Sequence, residues 1–218
     1  MTGPRICASI VNSDLAAIKR VESQVDLYEV RIDLIGSEWR EVARQLGKPW
    51  IACNRKSNEG GTWPGGEEAR ITELLSALEL GAEIIDVELS TEGLSDVVTL
   101  IKKRAKCLIS CHDMKKTPSI DAMKELVRKQ LVVGADICKV VTTAQKFEDN
   151  VSALRLIQEF PEERIVSFAM GPLGLVSRIL CPLVGGEFIY AAIEPGREAA
   201  SGQITVSDLR KIYQMVKG

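Results

Sequence analysis

The sequence predicts a compact (β/α)8 TIM barrel, one domain spanning residues 1–218. Three observations carry this prediction. Eight short β-rich runs alternate with eight amphipathic segments at the spacing of successive βα units. No separate all-helical block interrupts the alternation. The open doubly wound sheet, the alternative arrangement, normally carries a glycine-rich turn after its first strand, but Val11-Asn12-Ser13-Asp14 stands there. No Walker-type loop occurs either. Barrels of this kind usually need ~250 residues, with ~200 near the minimum, so few insertions fit.

The strands are expected at 5–11, 27–34, 50–55, 84–90, 106–114, 137–144, 164–170 and 188–193. The helices are expected at 14–23, 37–47, 67–81, 93–105, 119–133, 147–160, 174–184 and 206–217. Ser13-Asp14 and Ser119 supply N-terminal signals for the first and fifth helices. Gly47, Gly81 and Gly134 fall where a left-handed residue ends a helix. Two loops, 54–68 and 194–203, are rich in glycine and proline and follow strands. In a barrel both lie at the mouth, where a mobile lid is useful.

Composition narrows the function. Hydrophobic content of 45% and charged content of 27% fit a chain that buries a core in water. A net charge of −2, with lysine and arginine spread evenly, offers no attraction to nucleic acid or to an anionic membrane surface. No apolar run is long enough to span a membrane. Met1-Thr2-Gly3-Pro4-Arg5 leads directly into a strand-like run without a signal-peptide layout, so a cytoplasmic location is expected. The six cysteines lie in apolar runs, with no CxxC spacing, and read as reduced core thiols. Neither a structural metal nor a catalytic cysteine is expected.

The polar residues at the strand ends carry the chemistry. Parity puts Glu29, Arg31 and Asp33 on one face of the second strand, whose opposite face is apolar. An internal salt-bridge ladder is one explanation, and a substrate pocket is the other. Arg55 ends the third strand, Asp86 and Glu88 share a face of the fourth, and Arg178 opens the seventh helix. His112, the only histidine, ends the fifth strand, and Lys139 is a single charge within the apolar sixth. A desolvated amine attacks ketones, and imidazole carries protons near neutral pH. Arginines favour an anionic, carboxylate-bearing substrate. The residues alone point to a Schiff-base lyase acting on a polyhydroxylated keto acid. An aldolase or transaldolase is the enzymatic alternative, and requires a phosphate site after the last two strands. A non-catalytic barrel requires Lys139 and His112 to be paired away in the core.

The chain resembles the type I 3-dehydroquinate dehydratase family over nearly its whole length. The resemblance rests on Tyr28-Glu29-Val30-Arg31-Ile32-Asp33, Arg55 with Glu59-Gly60-Gly61, and Asp86-Val87-Glu88-Leu89. It continues through Ser110-Cys111-His112-Asp113 with Thr117-Pro118, and Gly134-Ala135-Asp136-Ile137-Cys138-Lys139. It ends with Met170-Gly171, Ser177-Arg178 and Gly202-Gln203. The resemblance implies cofactor-free, metal-free dehydration of 3-dehydroquinate to 3-dehydroshikimate, the third step of the shikimate pathway. It implies that Lys139 forms the imine, that His112 is acid and base, and that Glu59 orients His112. Arg178 and Gln203 would hold the substrate carboxylate end. Glu29, Arg31 and Arg55 would bind ring hydroxyls, Ser9 would line the pocket, and Met170 would contact the bound ring. The family is commonly dimeric, which makes a homodimer the expectation. The final loop departs from the family's Ser/Thr-Ala-Pro-Gly-Gln, reading Ala199-Ala200-Ser201-Gly202-Gln203. Ser201, or a water, is expected to replace the hydroxyl missing at position 199.

Overall fold

In the computed structural model, residues 3–217 are described. Eight parallel strands form one nearly closed barrel in the order β7-β6-β5-β4-β3-β2-β1-β8. They are β1 (Ile6–Ile10), β2 (Leu27–Arg31), β3 (Trp50–Cys53), β4 (Ile84–Glu88), β5 (Lys106–His112), β6 (Ile137–Thr143), β7 (Ile165–Met170) and β8 (Ile189–Ala192). Between and after them run α1 (Leu15–Val21), α2 (Ile32–Ile35), α3 (Trp39–Arg44), α4 (Glu67–Ser76), α5 (Leu94–Ile101), α6 (Ile120–Val132), α7 (Glu148–Gln158), α8 (Leu175–Leu180) and α9 (Val206–Lys217). The seam between β7 and β8 is bridged by the Glu187 N–H donating to the Ile165 carbonyl at 2.8 Å. Higher up, the rings of Phe168 and Tyr190 meet across it at 6.4 Å.

Local signals explain most element ends. The Asp14 carboxylate caps α1 by accepting from the Ala17 N–H at 2.9 Å, and Ser119 caps α6 through Ala122. The segment predicted as a helix over 174–184 breaks after Leu180 into a 3-10 turn, Cys181–Leu183. Pro182 has no N–H to continue the ladder. Gly81 and Gly134 take positive φ, as expected, but Gly47 does not. The α3 helix already ends at Arg44, and the chain turns through Gln45 and Leu46 before reaching it.

The largest difference from expectation concerns β2. The strand stops at Arg31, and Ile32–Ile35 forms the single helical turn α2. Asp33 therefore does not continue the strand face. Its carboxylate folds back to accept from Arg31 Nε at 2.9 Å and Nη2 at 2.7 Å. It also accepts from the backbone N–H of Thr62 at 3.1 Å, tying the first glycine-rich loop to the barrel rim.

The apolar layer between strands and helices is tightly buried. Trp39 on α3 packs near Trp50 at 6.5 Å, and Leu74 and Leu156 are fully buried on α4 and α7. Truncating such leucines to alanine typically costs ~2–5 kcal/mol, so this layer secures the positions of the strands. Inside the ring the pattern reverses, and the strands' inward residues near the mouth are charged.

Candidate active site

A cavity of about 530 Å³ opens at the C-terminal ends of the strands. It is walled by residues of the barrel and by the loop ending at Gln203. All eleven sequence-predicted site residues line it. Their register explains the convergence. Ser9 pairs with Glu29 across β1 and β2, and Ser110 pairs with Lys139 across β5 and β6. His112 pairs with Val141, so it stands one inward position above Lys139. Two residues of strand span about 6.6 Å, roughly the width of a six-membered ring and its substituents.

Lys139 is 4% exposed, yet it faces this cavity rather than being sealed below it. Its Nζ donates to Asp86 Oδ2 at 2.9 Å and lies 3.9 Å from Glu29 Oε1. Burial works to raise the pKa of Asp86, but Arg55 and Lys139 prevail and hold it well below the ordinary carboxylate range. Asp86 is the sequence's main omission: it was placed on the right strand face but given no role beside Lys139.

His112 Nδ1 lies 2.9 Å from Glu59 Oε2, which also accepts from the His112 backbone N–H at 3.0 Å. Ser90 donates to the other Glu59 oxygen at 2.9 Å. With this carboxylate ionised, Nδ1 carries the hydrogen and Nε2 is left as a base. Burial, with Arg55 and Lys139 adding to it, pushes the imidazole pKa well below its usual value. The ring is therefore neutral at physiological pH. Burial also raises Glu59 above the ordinary glutamate range.

The arginines differ in what they have left to offer. Arg55 donates to Asp86 at 2.6 Å, to Glu88 at 2.9 Å and to Ser110 at 2.6 Å. It belongs to a buried network that Arg70 extends by donating to the other Glu88 oxygen at 2.8 Å. Arg70 was missed because it lies on α4, whose pattern reads as an ordinary amphipathic helix. Arg31 is engaged by Asp33 and reaches the Ala199 carbonyl at 3.4 Å. Arg178 has no carboxylate partner among the described residues. It donates from Nη2 to the Ser201 carbonyl at 3.0 Å, and its buried Nε is unpaired. Burial lowers its pKa to about 10.

The loop is tied to the floor through Gln203. Its side-chain oxygen accepts from the Ala199 N–H at 2.7 Å, and its amide donates to Ser9 at 3.1 Å. Ser9 in turn donates to Glu29 at 2.7 Å. The Ser201 carbonyl also accepts from the Gly171 N–H at 3.3 Å, while Met170 lies nearby in the wall. The two aromatic wall residues, Phe168 and Tyr190, were not singled out in the sequence. Apolar residues in a strand are indistinguishable there from core.

Glu29, Cys53 and Asp86 bring potential metal-ligand atoms within 4.8 Å of one another. Both carboxylates, however, already carry hydrogen bonds from Ser9, Arg55 and Lys139, and burial raises the Cys53 thiol well above its usual pKa. The donor set is that of a charge-compensated floor. All six cysteines are free thiols. Gly185 and Gly186 precede β8, at the end of the barrel away from the cavity, where they cannot serve as a phosphate nest at its mouth.

Residues 6–218 match the family model of type I 3-dehydroquinase. A 3-dehydroquinate dehydratase from Dehalococcoides mccartyi is 43% identical over 216 residues, covering 99% of this chain and 97% of that protein. One from Methanosarcina mazei is 33% identical over 215 residues, covering 91% and 88%. The crystal structure of a type I 3-dehydroquinate dehydratase from Clostridium difficile shares the fold, with a TM-score of 0.87 at 24% identity over 99% of this chain and 93% of that one. With a full-length family match and relatives well above 30% identity, the chain belongs to the type I 3-dehydroquinase family.

Proposed function

We propose that this chain, as one catalytic barrel domain, dehydrates 3-dehydroquinate to 3-dehydroshikimate through an imine on Lys139. This is the third step of the shikimate pathway toward chorismate and the aromatic amino acids. The observation that carries the reading is that Lys139 and His112 face one cavity from neighbouring strands, one inward position apart, with Arg178 left without an anionic partner among the described residues.

Lys139, held at the cavity floor by Asp86, gives up its proton to solvent in the cavity, and its neutral Nζ attacks the ketone carbon. The carbinolamine loses water to give an iminium, which acidifies the adjacent carbon by drawing its electrons. His112 Nε2 takes that proton, leaving a neutral enamine. The enamine expels the ring hydroxyl as His112 returns the proton to it, a syn elimination that releases water. Water activated by the same imidazole then hydrolyses the product iminium and frees the lysine. The iminium serves as the electron sink, so the sequence of steps uses no metal or cofactor. Glu59 keeps His112 in the required tautomer. Arg178 binds the substrate carboxylate, aided by Gln203. Glu29, Arg31 and Arg55 hold hydroxyls, while Ser9 and Met170 shape the wall. The Ser201 hydroxyl makes no hydrogen bond among the described residues, and Ser201 is exposed in the cavity wall, where its hydroxyl is available to the substrate.

Incubation with 3-dehydroquinate should generate conjugated-enone absorbance. Borohydride added with substrate should fix an adduct on Lys139, and Lys139→Ala should abolish both. Turnover without an adduct at Lys139 would overturn the imine. The same reading places the enzyme in the cytoplasm as a homodimer, which light scattering at twice the chain mass would support and a monomer mass would contradict. No helix among the described residues is long and apolar enough to cross a membrane.

A further inference from the structure

Tyr190 has no part in the mechanism above, yet its ring is built against the reactive amine. Lys139 Nζ lies 4.2 Å from the centroid of the Tyr190 ring. The ring is held edge-on by Phe188 at 5.3 Å and 82°, and by Phe168 at 6.4 Å and 61°. Arg178 stands over Phe168 in the same way, its guanidinium carbon 4.5 Å from that centroid. Each of these two cations thus rests on an aromatic face, and the two faces meet at an edge. The Tyr190 hydroxyl, by contrast, is buried and has no hydrogen-bond partner among the described residues. A buried, unpaired hydroxyl is a cost to the fold. What Tyr190 offers the site is its ring face.

We propose that Tyr190 is a positioning residue whose π face holds the Lys139 nitrogen and favours the iminium over the carbinolamine that precedes it. The proposal rests on the imine reading. When the carbinolamine takes up a proton and loses water, the C–O bond breaks and the nitrogen lone pair becomes the second C–N bond. The nitrogen passes from neutral to cationic in that step. An aromatic face attracts the cation and is indifferent to the neutral amine. The ring therefore shifts the balance at the moment charge appears, without contacting the substrate's carboxylate end.

The test uses a 3-dehydroquinate analogue that lacks the departing hydroxyl, so that the reaction stops at the imine. Borohydride reduces the iminium and leaves the carbinolamine. In Tyr190→Leu the trapped fraction should fall by about 2- to 30-fold, the factor equivalent to a cation–π contact of about 0.5–2 kcal/mol. Replacing Tyr190 by trifluorophenylalanine keeps the shape, weakens the π face and should lower trapping in the same direction. That variant decides the matter if Tyr190→Leu fails to fold. Tyr190→Phe should restore trapping and unfold at no lower temperature than the natural protein. Affinity for the corresponding ring alcohol, which cannot form an imine, measures what Tyr190 contributes as cavity wall, and trapping should fall by more than that affinity does. Equal trapping with tyrosine and the fluorinated ring, loss of trapping in Tyr190→Phe, or parallel loss of alcohol affinity overturns the proposal. Absence of any Lys139 adduct in the natural protein defeats the imine reading itself, a result distinct from variants that trap as well as the parent.

Discussion

His112 shows how a single residue acquires its function from its surroundings. In water an imidazole is about half protonated near pH 6.5. Here burial, then Arg55 and Lys139, oppose the imidazolium, while Glu59 holds the neutral ring by Nδ1. Because His112 is the only histidine, its ring resonance is identifiable in an NMR titration. Its midpoint should lie below about 6.5, and a midpoint at or above that value would contradict the described field. As pH falls below about 6.5, the unfolded chain binds a proton that the folded ring refuses, so this residue's contribution to stability declines. Glu59, whose pKa is raised, works in the opposite sense and contributes stability at low pH that is lost as pH rises through its folded value. His112→Ala should reduce turnover by ~10²–10⁴-fold or more while still forming an adduct with Lys139, as mass spectrometry would detect. Near-normal turnover would remove His112 from the mechanism.

At the scale of elements, the 194–203 loop shows how a missing side chain can be bypassed by backbone. The serine or threonine hydroxyl and the proline that the family resemblance led one to expect are absent, and Ala199 and Ser201 stand there. Main-chain groups of Ala199 and Ser201 instead hold the loop to Gln203, Arg31, Gly171 and Arg178. Gly202 permits this. Its φ is +78°, and a Cβ there would come within 2.6 Å of the Gly171 carbonyl oxygen. A left-handed alanine costs about 1–2 kcal/mol before that clash is counted. Gly202→Ala should therefore raise KM by about 10-fold or more, by pulling the Ser201 carbonyl off Arg178. Ser201→Ala removes at most one neutral hydrogen bond to substrate, ~0.5–1.5 kcal/mol, and should raise KM only several-fold. Steady-state kinetics showing Ser201→Ala as the more damaging change would refute this view of the loop.

Across the whole molecule, closing the ring forces the inward charges of β2, β4 and β6, with Arg55 just beyond β3, into one small volume. Arg55, Asp86, Glu88 and Lys139 are compatible there because each charge has a partner, with Arg70 contributed from α4 outside the ring. Breaking a buried pair while leaving one member behind typically costs ~3–5 kcal/mol. Arg70→Met should fall at the lower end of that range, because Arg55 still holds the other Glu88 oxygen. Urea denaturation would measure the loss, and a change under about 1 kcal/mol would show that the network is not cooperative.

The alternation of strand and helix was legible in the sequence because side-chain periodicity is a local property. Parity put Glu29 and Arg31 on one strand face and Asp86 and Glu88 on another, His112 and Lys139 stood out as a lone histidine at a strand end and a single charge in an apolar run, and the motifs named the family. What parity does not contain is which charges meet. Asp33 was expected to extend the β2 face, but a helical turn brings its carboxylate back to Arg31. Arg55 was expected to reach substrate, and most of its donors are spent on Asp86, Glu88 and Ser110. Asp86 at the amine and Tyr190 beneath it come from strands far apart in the chain. Such pairings depend on how the strands close into a ring and on distances of a few ångströms in a weakly screened interior. Local pattern carries neither, so the partners of each charge were decided by the tertiary structure alone.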